Sequence, residues 1–122
     1  MPAFEERRAL TDDERAVMER MLSVDVPGAR ELRSQLGRVE VVSRWAEGSI
    51  SVNLELVGDA APAAVPDGPL PVDAWAYDEF GAPIGTVLVW VRNGRLSALE
   101  FGWVTDEPPT TWPAVERIRV KG

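Results

Sequence analysis

The chain of 122 residues contains neither histidine nor cysteine. Without imidazole, no side chain titrates near neutrality at its ordinary pKa, so histidine-based acid–base or nucleophilic chemistry is excluded. Without thiol there is no cysteine nucleophile, no disulfide and no thiolate metal site. Positive charge is almost all arginine, since Lys121 is the single lysine. Long apolar runs are missing too, and no window approaches the length that spans a bilayer. The amino-terminal segment Met-Pro-Ala-Phe-Glu-Glu-Arg-Arg has no apolar core of the secretory kind. A reducing, cytoplasmic setting fits a chain without cysteine.

What is present describes a globular domain. Hydrophobic residues make up 45% and charged residues 27% of the chain, which suffices for one domain with its own core. The formal net charge is −7. Such a surface repels phosphate backbones and anionic membranes, so neither nucleic acid nor membrane is an expected partner; basic protein surfaces are.

Thr11-Asp12-Asp13-Glu14 has the pattern of a capping box, in which the hydroxyl and the carboxylate each satisfy a free backbone N–H. Val17, Met18, Met21 and Leu22 follow at helical spacing and predict a helix from Thr11 to Ser23. Pro27 suits the first turn of a second helix with Ala29, Leu32 and Leu36 inward and Gly37 as its stop. After Gly37 the period changes from 3.6 to 2. Strands are expected over Val39–Trp45, Ile50–Leu56, Leu70–Tyr77 and Ile84–Val91, with a proline- and alanine-rich surface loop over Gly58–Pro69. Asn93-Gly94 predicts a two-residue type I′ turn, because both residues tolerate positive φ. From that turn, Arg92 is expected to pair with Arg95, Val91 with Leu96, Val89 with Ala98 and Val87 with Glu100. One face then carries the valines with Glu100 at its margin, and the other carries Leu88, Trp90, Leu99, Phe101 and Trp103. Val115–Val120 adds a short edge strand.

The fold expected is α+β. A single domain over 1–122 has two amino-terminal helices (about 11–36) packed on a mostly antiparallel meander of five or six strands (about 38–120).

Segments Leu10–Glu14 (LTDDE), Leu22–Arg33 (LSVDVPGARELR) and Arg92–Glu100 (RNGRLSALE) resemble the opening and the strand-turn-strand ending of a family of small bacterial proteins of unassigned function. The resemblance implies a fold and supplies no catalytic residue. In size and acidity the chain also resembles the immunity proteins of bacterial toxin systems, an analogy of build alone.

Residue types bound the chemistry that remains. Only a carboxylate cage could hold a metal, and Asp12-Asp13-Glu14 and Asp78-Glu79 lack the spaced oxygen ligands that calcium needs. No metal or cofactor is expected. Glu55, Asp73 and Glu100 fall on strands where a facing pair could serve as acid and base of a hydrolase or isomerase. Their ordinary role is solvent contact or pairing with an arginine, for example Glu55 with Arg44 across the first hairpin. Five tryptophans are the last signal. They either fill the core or form a surface, since the central hairpin is apolar on both faces and two short helices cover only one.

The leading expectation is a non-enzymatic protein-binding module for a basic, toxin-like partner. Its surface consists of Trp90, Phe101 and Trp103 within a rim of Asp73, Asp106 and Glu107. The alternative is a small-ligand domain with a pocket between sheet and helices near Trp75, Tyr77 and Glu100. A homodimer through the Val115–Val120 edge or the uncovered aromatic face is a further possibility.

Overall fold

The computed structural model describes residues 5–122; part of the amino-terminal segment discussed above lies outside the described residues. Strand β1 (Glu5–Ala9) comes first, followed by helices α1 (Asp12–Met21) and α2 (Ala29–Gln35). Strands β2 (Val39–Arg44), β3 (Val52–Leu56), β4 (Gly68–Pro69), β5 (Asp73–Tyr77), β6 (Pro83–Arg92), β7 (Arg95–Trp103) and β8 (Ile118–Lys121) complete the chain. The α+β class and the antiparallel pairing are as expected. The sheet is larger, with eight strands in the order β1-β2-β3-β7-β6-β5-β8 and β4 alongside β6.

Two expectations therefore change. The helices do not open the fold, because β1 precedes them and pairs with β2. Its sequence, Glu-Glu-Arg-Arg-Ala, has no apolar alternation to read. It is held by main-chain pairing and by Arg7, which reaches Glu40 at 2.9 Å and Glu55 at 3.3 Å across β2 and β3. The sheet is also not a simple meander, since β7 lies beside β3 and β8 beside β5. Arg44 stands opposite Val52, while Glu55 stands opposite Glu40, so the two do not pair across the hairpin.

The capping box forms as its sequence requires: Thr11 Oγ1 accepts from the Glu14 N–H at 3.1 Å, and Glu14 Oε1 accepts from the Thr11 N–H at 2.9 Å. Glu14 is only 4% exposed. Burial by itself pushes its carboxyl upward. The two-pronged Arg8 guanidinium at 2.7 and 2.9 Å and the Thr11 N–H outweigh that and hold it below the ordinary value. Helix α1 thereby joins both edges of the sheet, since Arg8 lies on β1 and the Arg20 Nε–H donates to the Ile118 carbonyl of β8. Helix α2 starts later than Pro27, after Gly28 in the left-handed conformation at φ 85°.

The core lies between the helices and one sheet face. Val17, Met18, Met21, Leu22 and Leu32 meet Val41, Val52, Val87, Val89, Leu99, Phe101 and Ile118. The β6–β7 turn has φ 53° at Asn93 and φ 73° at Gly94, as a type I′ turn needs. The ladder starts as expected with Arg92–Arg95 and Val91–Leu96, then slips, so that Trp90 faces Ala98, Val89 faces Leu99, Leu88 faces Glu100 and Val87 faces Phe101. One extra residue on β7, a bulge at Ser97–Ala98, reverses which side chains share a face. Leu99 and Phe101 join the valines in the core, and Glu100 leaves it.

The opposite sheet face carries Trp75, Leu88 and Trp90, all half-buried. Phe101 packs edge-on against Trp112 with ring centroids 5.7 Å apart, and its ring lies over Gly85, where a Cβ would come within 2.6 Å. Trp112 itself is drawn into the core from the proline-interrupted tail.

Candidate functional site

A concavity forms where the β3–β7 ladder stops. Those strands pair only at Val52–Leu99 and Asn53–Ala98. Beyond that point the chain of the β2–β3 hairpin turns away through Ala46–Ser51, while β7 continues to Trp103. The gap is bridged once, by the Phe101 N–H donating to Ser51 Oγ at 2.9 Å. A cleft of about 530 Å³ opens there. Its walls are Trp45 with the hairpin loop, the end of β7, and Pro108–Pro109 of the tail.

Trp45 and Trp103 are 43% and 47% exposed, high values for a residue that usually hides most of its surface. Glu47 and Glu100 are the charged residues lining the cleft, and both are acids. Glu100 is oriented by Trp90, whose Nε1–H donates to Glu100 Oε1 at 2.8 Å from the neighbouring strand. That contact exists because the bulge sets Leu88 opposite Glu100, one residue pair from Trp90–Ala98 on the same face. Asp106 and Glu107 are exposed on the turn between Trp103 and Pro108.

The residues singled out in the sequence are thus divided among three places. Trp103 and Glu100 line the cleft. Trp90 lies behind it as the hydrogen-bond donor to Glu100. Phe101, expected on an interface beside Trp90, is 1% exposed and belongs to the core, because the bulge moved it there. Asp73 stands opposite Lys121 across the β5–β8 ladder, three strands from β3. Trp75 and Tyr77 lie on β5, with the whole of β6 between them and β7, which carries Glu100. Tyr77 is covered by the Arg119 guanidinium, 4.7 Å above its ring.

Glu55, Asp73 and Glu100 occupy β3, β5 and β7, and Glu55 is bound by Arg7. Among the described residues no group of three or more acids could hold a metal ion, and no helix is long and apolar enough to cross a membrane.

Sequence reasoning missed Trp45 as a site residue, together with Ser51, Pro108 and Pro109. The available signal was a tryptophan directly before a Gly-containing hairpin loop, where a strand residue has no neighbour to bury it. A second, smaller cavity of about 180 Å³ shares Ser49 and Ile50 with the cleft and is walled by Arg8, Glu14, Arg44 and Trp112. Arg8 and Arg44 are engaged there, Arg8 with Glu14 and Arg44 with the Ser49 carbonyl. The Trp112 Nε1–H is buried without a hydrogen-bond partner among the described residues.

Comparison with family models, with curated proteins and with solved structures finds no match to this chain. The functional reading therefore rests on the cleft's own chemistry.

Proposed function

We propose that this domain is a non-enzymatic binding module that captures a basic protein partner in the cleft between Trp45 and Trp103. The observation that carries the reading is the pairing of two exposed indoles with a lining whose charged members are Glu47 and Glu100 alone. Indole faces attract arginine and lysine head groups, and nearby carboxylates add to that attraction. Partly exposed aromatics within a polar rim are also what binding hot spots use. The net charge of −7 steers a basic partner in and weakens with added salt. A small basic toxin, such as a nuclease, has the surface this module would neutralise, and the cytoplasm is where the two would meet.

The test is affinity capture at low salt with the wild type, Trp45→Ala and Trp103→Ala side by side. A basic protein held by the wild type, released by a salt step and lost from both folded variants is the expected result. Equal capture by all three removes the cleft as the binding site.

The volume of about 530 Å³ also falls in the range of small-molecule pockets, which supports a second reading as a small-ligand domain. Thermal-shift screening against metabolite classes tests it, and an absence of shifts counts against it.

A further inference from the structure

The end of β7 is a strand edge held open inside the cleft. The Val104 N–H donates to the Ile84 carbonyl at 3.0 Å, so main-chain groups of even-numbered residues at this end of β7 point towards β6. In an antiparallel ladder the alternate residues point the other way. Phe101 does so, with its N–H on Ser51 Oγ. Trp103 has the same parity, and its N–H and C=O face the side where β3 has already ended. Pro108 and Pro109 of the tail also line the cleft. Proline has no N–H to donate, so the tail cannot close the ladder as a strand would.

The faces of this edge differ. Glu100 and Gly102 lie on the outer face of β7, with Phe101 and Trp103 on the face towards the core. An extended segment laid along the edge therefore meets a carboxylate on one side and an indole on the other.

We propose that this edge accepts an extended segment of the partner as an added strand, with basic residues alternating with apolar ones. The proposal rests on the reading of the cleft as a site for a basic partner and specifies how that partner is held. Main-chain hydrogen bonds to Trp103 supply the anchoring, as in other cases of strand addition. Basic side chains then meet Glu100, already oriented by Trp90, while apolar side chains meet Trp103. The charge of the lining selects this occupant over an acidic segment, and the alternation follows from the pleat.

The experiment uses the full chain and a blocked heptapeptide, Arg-Val-Arg-Val-Arg-Val-Arg, with a glutamate-for-arginine version as control. Binding is followed by tryptophan fluorescence and by amide hydrogen exchange at Trp103. Strand addition predicts a saturable fluorescence change with the basic peptide, none with the acidic one, and Trp103 exchange slowed about tenfold or more at saturation. Glu100→Gln should weaken the basic peptide severalfold. Fluorescence saturation with Trp103 exchange unchanged overturns strand addition while leaving the cleft as a site for basic side chains. No saturable response up to millimolar peptide overturns it as well, and the capture experiment with the tryptophan variants then judges the binding reading separately.

Discussion

The two ends of the β6–β7 hairpin differ in how their polar groups are treated. At the turn end, main-chain groups of Asn93, Gly94 and Leu96 are met by other parts of the chain. Gln35, 0% exposed, donates to the Gly94 carbonyl at 2.9 Å and the Ala61 carbonyl at 3.1 Å, and accepts from the Leu96 N–H at 3.0 Å. The Ala63 N–H adds a bond to Gly94 O at 2.8 Å, and Asp67 Oδ1 accepts from the Asn93 N–H at 2.8 Å. At the other end, Ser51 makes one such contact and β7 then faces a cleft. One hairpin is thus anchored at its turn and left available at its ends. Buried polar groups must be satisfied within the fold, whereas groups at an open cleft can wait for water or a partner.

Core and cleft touch at Phe101, where the two ends differ most. Phe101→Ala should destabilise the domain by about 3–5 kcal/mol, because it empties the space beside Trp112 and over Gly85. Urea unfolding measures it, and a loss below 1 kcal/mol would return Phe101 to the surface.

At the anchored end, Gln35→Leu leaves the Leu96 N–H without its acceptor and should cost about 2 kcal/mol. Chemical denaturation checks the size, and exchange of the Leu96 amide should rise with it. A neutral result would mean the turn does not depend on Gln35.

Glu14 gives a smaller, pH-dependent effect. Its carboxyl is held below its ordinary 4.5 in the folded state, so its contribution is complete above that value and fades as pH falls through the lower folded one. At pH 7, Glu14→Gln should lose about 1–2 kcal/mol. The gap to wild type should narrow steadily below pH 4.5. A gap independent of pH would assign the loss to packing and not to the Arg8 pair.

The smallest effects on stability belong to the open end. Trp45→Ala and Trp103→Ala should change folding by no more than about 0.5 kcal/mol, as both side chains are exposed, yet they should abolish partner capture. Stability loss comparable to that of Phe101→Ala would put these indoles in the core and remove the contrast between the two ends.

Much of the helical third was legible from residue types. The Thr11–Glu14 box, the inward Val17, Met18, Met21 and Leu22, and the Asn93-Gly94 turn are local matters: capping geometry, a 3.6 period and tolerance of positive φ act within a few residues. β1 was not legible, since its charged residues carry no period and its pairing partner is more than thirty residues away. The cleft was legible only in fragments. Trp103 and Glu100 were singled out, but Trp45 and the adjacent Pro108 and Pro109 come from two further segments that no local pattern links to β7.

The residue sequence by itself determined an acidic α+β domain with no imidazole or thiol chemistry, a capped first helix and a tight central hairpin. Tertiary structure alone decided which hairpin face is buried, through one extra residue in β7 that exchanges Glu100 for Leu99 and Phe101 in the core. It also decided that β3 leaves β7 early and opens the cleft. The physical reason is that side-chain facing alternates with a period of two, so a single-residue slip inverts a whole strand end. Whether a slip occurs is settled by long-range packing of Phe101 against Gly85 and Trp112, contacts that lie outside any local window.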